Sequence, residues 1–135
     1  MADLTITREE AIAWLGAYER AWETRDSDLI VSLFAPDGTY QETRFKPPFI
    51  GHAGIRGYWD ADVVGRQRDI EFSFTLWAVD GALAYAHWQA AFTDLKMNAR
   101  RHLDGVFRLT FTERGPTGLL CRSLDEWWNI TTSIG

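Results

Sequence analysis

The sequence predicts an α+β fold in which helices at the N-terminal end are segregated from an antiparallel sheet. Two observations predict it. Apolar residues recur at helical spacing up to about residue 34, and from Ile70 onward they alternate at the period of two that marks strands. Asp80-Gly81 and Gly115-Pro116-Thr117-Gly118 then punctuate the strand region as hairpin turns. Runs of helix followed by runs of strand are the α+β signature.

Each element has its own local cause. Thr7 and Glu10 form a capping box that opens the first helix. Ala11, Trp14, Leu15, Tyr18 and Trp22 give that helix one apolar face, with Glu9, Glu19, Arg20 and Glu23 opposite. Arg25-Asp26-Ser27 breaks it, and Asp26 or Ser27 caps a second helix whose buried stripe is Leu29, Ile30, Leu33 and Phe34. Ala35-Pro36-Asp37-Gly38 reads as the turn that ends it. Thr39 to Thr43 then alternates as a short strand, with Tyr40 and Glu42 on one face. Pro47-Pro48 makes the next stretch loop or sheet edge. After Gly51, the spacing of Ile55, Tyr58 and Trp59 predicts a short third helix, weakened by Gly54 and Gly57 at roughly 1 kcal/mol each. Their spacing with Gly51 suits close helix packing and follows no strand, so it is not a dinucleotide fingerprint.

The strands follow in hairpin order. Ile70, Phe72, Phe74, Leu76 and Ala78 alternate with polar positions, and Ala84, Ala86, Trp88, Ala90 and Phe92 face the same core on the returning strand. Leu95 to Arg101 reads as a polar connection, with Lys96, Arg100 and Arg101 at a solvated hairpin end. Leu103 to Phe111 and Leu119 to about Ile130 complete the sheet. Trp77 and Tyr85 fall on the face away from the helices, where clustered aromatics mark an interface, so a homodimer through the outer sheet face is expected.

Composition bounds the function. With 135 residues, residues 1–135 form one domain with no room for a second. Hydrophobic residues make up 46% and charged residues 24%, the mix of a folded soluble domain. A net charge of −5 argues against a nucleic-acid partner. No apolar run reaches the ~18 residues of a membrane helix, so no membrane partner is expected. The lone Cys121 needs no oxidising compartment and is expected to be a small buried side chain, and the first residues lack a secretion signal. A cytoplasmic location is the expectation. Seven Trp, four Tyr and eight Phe suit either a solid aromatic core or an apolar pocket.

No Gly-x-Ser-x-Gly, Walker loop or His-Glu-x-x-His appears, and His52, His87 and His102 have no ligand spacing. No metal or cofactor is expected. The carboxylates say more. Glu42 shares a strand face with Tyr40, Asp104 precedes an apolar strand, and Asp125 sits between Leu124 and Trp127-Trp128. A carboxyl group among aromatics has a raised pKa, as proton transfer near neutral pH requires.

With these residues in place, the chain resembles the nuclear transport factor 2-like superfamily, in its SnoaL-like and ketosteroid isomerase-like branches. The resemblance runs from about Thr7 to Trp128. It is densest from Tyr18 to Trp59, through Asp28-Leu29-Ile30-Val31-Ser32-Leu33-Phe34-Ala35-Pro36-Asp37 and the Gly51, Ile55, Tyr58, Trp59 helix entry. It implies a cone, or cystatin-like α+β roll: a curved, mostly antiparallel sheet wrapped around three N-terminal helices, with an apolar pocket between them. It also implies a cofactor-independent enzyme doing acid/base chemistry on a small apolar carbonyl compound, as an isomerase, cyclase or dehydratase. By resemblance to ketosteroid isomerases, Glu42 is the base, and Tyr18 with a protonated Asp104 holds the oxyanion. The Asp104 match requires a bulge at Gly105-Val106. By resemblance to SnoaL-like cyclases, Asp125 is the late-strand acid. Trp22, Tyr40, Trp59, Phe74, Trp88, Phe107 and Trp127 are the expected ligand-binding residues. The competing expectations are a non-catalytic binding protein for an apolar metabolite and a dimeric adaptor.

Overall fold

Thr7 caps the first helix through both halves of the capping box: its hydroxyl accepts from the Glu10 N–H, and its own N–H donates to the Glu10 carboxylate. In the computed structural model, which describes residues 4–133, helix α1 spans Arg8–Glu23 and α2 spans Ser27–Ser32. Asp26, rather than Ser27, caps α2 by accepting from Leu29 N–H. Strand β1 (Phe34–Gln41) starts earlier than the sequence predicts. Its Pro36-Asp37-Gly38 stretch is not a turn but an irregularity in pairing between Phe34 and Thr39. The two-residue β2 (Phe49–Ile50) leads into α3 (Gly51–Tyr58), which continues as a π-helical turn over Trp59–Val64. Gly51 has φ +71°, the left-handed conformation that glycine adopts at no steric cost, at this strand-to-helix junction.

Four long strands follow: β3 (Gln67–Asp80), β4 (Leu83–Asp94), β5 (Ala99–Gly115) and β6 (Gly118–Ser133). The β3–β4 turn is Gly81-Ala82, one residue later than expected, with Gly81 at φ +60°. The next connection shrinks to Leu95–Asn98, because the strands continue pairing out to Asp94 and Ala99. The sheet order is β2-β1-β6-β5-β4-β3, with β1 parallel to β6 and every other pair antiparallel. This is the expected α+β architecture of three helices on one curved, mostly antiparallel sheet, with the two-residue β2 as a sixth strand at its edge. α1 lies against β3 and β6, and α3 lies against β1. No helix among the described residues is long and apolar enough to cross a membrane.

Between helices and sheet lies an aromatic core. Tyr18 meets Trp14, Trp22, Trp59, Phe72 and Phe107 at ring-centroid distances of 5.2–6.1 Å, the range in which aromatic pairs add to simple burial. Phe107, expected at the ligand site, is fully buried between Tyr18 and Trp88, each 5.2 Å away, and packs as core. Phe74 faces the same interior but packs beside Phe72, away from the cavity described below. Cys121 is buried, and burial pushes its thiol pKa far above the usual range. On the outer face, Trp77 stacks on His87 at 5.4 Å and is 57% exposed.

Candidate active site

A cavity of about 200 Å³ opens between α1, the α3 extension and the concave face of the sheet. Its floor is aromatic: Tyr18 and Trp22 from α1, Tyr40 from β1, Trp59 after α3, and Trp88 from β4. Its acidic and basic side chains are Glu42, Asp62, Arg66, Asp94, Arg101 and Glu126. The π-helical turn matters here. Trp59, Asp62 and Val63 from this turn line the cavity, and π-helical turns recur at functional sites.

Glu126 is buried, at only 5% exposed. The Tyr40 hydroxyl donates to its Oε1 at 3.3 Å, and the Tyr18 and Tyr40 hydroxyls are 2.6 Å apart. No cation pairs with it among the described residues. Burial, reinforced by the negative charge of Glu42, therefore raises its pKa well above the usual carboxylate range, and the Tyr40 hydrogen bond opposes this only partly. Glu42 follows β1 and is half-buried. Its pKa also rises, through burial and then the charge of Asp62, with Lys46 pulling the other way. Its backbone carbonyl accepts from Trp128 Nε1 at 2.7 Å, which ties the end of β1 to β6. The two carboxyl groups titrate as a pair of unequal members. Burial first, and then the charge of the more accessible Glu42, favours the protonated form of Glu126.

At the other end of the cavity Asp94 is 2% exposed. Burial alone would raise its pKa, but donation from Met97 N–H, Arg66 and Lys96 N–H outweighs that and holds it below the usual range. Trp22 Nε1 donates to Gln67 Oε1 at 2.6 Å, fixing the indole at the cavity wall.

The structure thus gathers Glu42, Tyr18, Trp22, Tyr40, Trp59 and Trp88 around one cavity, as the sequence predicts. Three expectations need correction. Asp104 faces outward, where it accepts from Gln89 and meets His87 at 3.0 Å, and these bonds lower its pKa. The bulge that would turn it inward is absent: β5 pairs without interruption with both neighbours through Gly105-Val106. Asp125 also lies on the outer face, held by Arg44 at 2.9 Å and Arg108 at 3.3 Å. Trp127 is there as well, 41% exposed beneath the same two guanidiniums.

Glu126 was not among the expected residues. On β6, Leu119 and Cys121 point inward, and strict alternation would carry Ser123, Asp125 and Trp127 inward after them. The pairing slips around Arg122 instead, where Phe111 opposes Cys121 and Thr110 opposes Ser123. Alternation restarts as Leu124, Glu126 and Trp128, so the acid turned inward is one residue later. Arg101, expected at a solvated hairpin end, faces inward to the cavity. Its alternation with Leu103 and Phe107 was the available signal. No three His, Cys, Asp or Glu side chains gather as a metal site would among the described residues.

The family model of the SnoaL-like domain matches residues 15–116. Among solved structures, the epoxide hydrolase/cyclase-like enzyme SalBIII, of pyran ring formation in polyether salinomycin, superposes with a TM-score of 0.75 at 21% identity, covering 93% of this chain and 97% of its own. A hexachlorocyclohexane dehydrochlorinase (LinA) of type 2 gives 0.79 at 12% identity, covering 95% and 89%. A Delta 5-3-ketosteroid isomerase from Mycobacterium sp. gives 0.72 at 16% identity, covering 92% and 98%. At such identities these structures share the fold. No curated protein matches the sequence.

Proposed function

Because this chain belongs to the SnoaL-like domain family, we propose that its cavity is the active site of a cofactor-independent enzyme that moves protons on a small carbonyl compound, as isomerases, cyclases and dehydratases do. One observation carries the reading: two carboxyl groups of unequal burial, Glu42 and Glu126, line one cavity, and the deeper has a phenol rather than a cation for a partner. Carboxyl groups whose surroundings push their pKa values apart are the usual division between base and acid.

At neutral pH the ionised Glu42 removes a proton from the carbon beside the substrate carbonyl. Glu126 gives its proton to the carbonyl oxygen, so an enol forms with no net change of charge. As Glu126 becomes a carboxylate, Tyr40 donates to it and Tyr18 donates to Tyr40, spreading the new charge over two phenols. Returning the Glu42 proton to a different carbon completes an isomerisation, while Glu126 takes back the enol proton. Glu126 thereby takes the part that the resemblance assigned to Asp104, and the late-strand part assigned to Asp125.

The test is turnover of small unsaturated ketones, followed by ultraviolet absorbance. Glu42→Gln and Glu126→Gln are each expected to lower the rate roughly 10²–10⁴-fold while leaving the fold intact. Full activity in either variant overturns the assignment. Binding without turnover in the wild type favours the non-catalytic reading. The homodimer through the outer sheet face is part of the same proposal, supported by the exposed Trp77 and Trp127. Light scattering that gives the 15.5 kDa of a single chain at micromolar concentration overturns it.

A further inference from the structure

The cavity carries more hydrogen-bond donors than the protein itself uses. Among the described residues, three buried side-chain nitrogens have no partner: Nε1 of Trp59, Nε1 of Trp88 and Nε of Arg101. All three belong to residues that line the cavity, and all three can donate but not accept. Buried polar groups in native proteins nearly always find partners. Three orphans of one kind on residues that line one cavity therefore call for a ligand rich in acceptors, reached by small rotations of these side chains because the nitrogens themselves are covered.

Charge narrows the class. Asp94 is fully engaged without Arg101: its Oδ1 accepts from Lys96 and Met97 N–H at 2.9 and 3.2 Å, and its Oδ2 accepts from Arg66 at 2.8 Å. Arg101 stands off from the same Oδ2 at 3.7 Å. Two guanidiniums thus share one carboxylate, which leaves a positive charge at this end of the cavity. The acids lie elsewhere. Glu126 stands opposite Phe107 on β5, three inward positions from Arg101, which amounts to roughly 20 Å of strand. Glu42 follows β1, which lies three strands from Asp94 on β4. The cavity is polarised, with a cationic rim on the β4–β5 side and the proton-transfer pair deep on the β1–β6 side.

We propose that the substrate is an organic acid: an apolar body whose carboxylate or other oxyanion sits on Arg101, with Arg66 and Asp94 holding that end of the cavity, and whose reacting oxygen lies at Glu126. This rests on the reading of the cavity as the working site, and it makes Arg101 the residue that selects the substrate class. Arg suits the task because its guanidinium stays charged and presents several donors to a planar oxyanion. Glu42, with Asp62 near enough to raise its pKa, repels the oxyanion and so orients the molecule.

The experiment is calorimetry with three probes of one shape: 2-naphthoate, its methyl ester, and 2-naphthalenesulfonate. The wild type is expected to bind 2-naphthoate at least about tenfold more tightly than the ester. Arg101→Gln is expected to lose that preference, and Glu126→Gln to keep it. Sulfonate binding on a par with 2-naphthoate identifies a general oxyanion site, whereas its failure identifies a carboxylate site. An ester that binds as well as the acid, no binding of any probe, or a folded Arg101→Gln that keeps the preference overturns the inference. If Arg101→Gln does not fold, the wild-type ratio of acid to ester decides alone. Turnover is a separate readout: a protein that prefers acids yet fails the Glu42→Gln test retains this inference and loses the enzymatic one.

Discussion

The Tyr40 hydroxyl lies 3.3 Å from Glu126 Oε1 and 2.6 Å from the Tyr18 hydroxyl, so three groups from β1, β6 and α1 form one buried polar chain. A carboxyl group set in aromatic surroundings with only a phenol for company is costly to ionise. That cost has consequences for stability, pH dependence and catalysis, and each can be measured.

Glu126 is protonated in the folded protein at a pH where the unfolded chain, with a carboxyl pKa near 4.3, has already released the proton. The native state then binds more protons than the unfolded state, so this residue makes stability fall as pH rises above about 4.3. Glu126→Gln keeps the shape and removes the slope. The variant should melt a few degrees above the wild type at pH 8, with the gap closing towards pH 4, while losing activity. Thermal denaturation across that range checks it, and a variant less stable than the wild type at pH 8 contradicts it.

Tyr40→Phe removes the middle of the chain. The Tyr18 hydroxyl loses its Tyr40 partner and Glu126 loses its donor, a destabilisation of about 1–3 kcal/mol by the usual cost of an unmet buried group. The Glu126 carboxylate formed during reaction loses its stabiliser, so turnover should fall roughly tenfold or more, with the limb of the pH–rate profile that reports Glu126 moving further up. Urea denaturation and a pH–rate profile read the two effects separately.

Gly105 is required by closeness rather than by backbone conformation. A Cβ added there would lie 2.7 Å from the Trp127 carbonyl oxygen and 2.7 Å from Trp88 Cζ2. Relief needs both a shift of Trp88 and a displacement of the Trp127 carbonyl, which the β5–β6 pairing resists. Gly105→Ala should cost about 1–3 kcal/mol and change both the cavity and the tryptophan emission. An unaltered spectrum and melting temperature would show that the sheet absorbs the methyl group.

Glu10 has a second partner besides Thr7. Arg114 donates to it from Nε at 2.5 Å and from an Nη at 2.9 Å, joining the start of α1 to the end of β5. Donation from Arg114, then from the Thr7 N–H, lowers the Glu10 pKa to about 2. A carboxylate depressed in this way contributes stability above its ordinary value near 4.5 and loses it as pH falls towards about 2. Arg114→Gln should therefore lower the melting temperature at pH 7 and flatten its dependence on pH through that acid window. Both proteins should converge at its lower end.

Much of the fold was legible locally. The capping box at Thr7 and Glu10, the apolar face of α1, the alternation through β4 and that through β3 as far as Leu76 each depend on residues within a few positions of one another, and the structure repeats them. Beyond Leu76 a slip in the β3–β4 pairing leaves the expected Ala78 exposed and turns Val79 to the core instead. The placement of Glu42 was legible for the same reason: it lies two residues from the buried Tyr40 and shares its face. The sequence by itself thus determined the α+β class, the helix faces, and the aromatic wall with one carboxyl group on it. The tertiary structure alone decided which late-strand acid points inward. Strand parity is a local property, but the slip around Arg122 depends on how β6 pairs with a β5 partner, and it exchanges Asp125 for Glu126. The same holds for Asp104, kept outward by pairing to two neighbours at once, and for Arg101, drawn inward beside an Asp94 that only the β4–β5 register brings near. A carboxylate or a guanidinium carries no intrinsic preference for the inside of a protein. Its direction is set by the partners that the folded chain assembles around it.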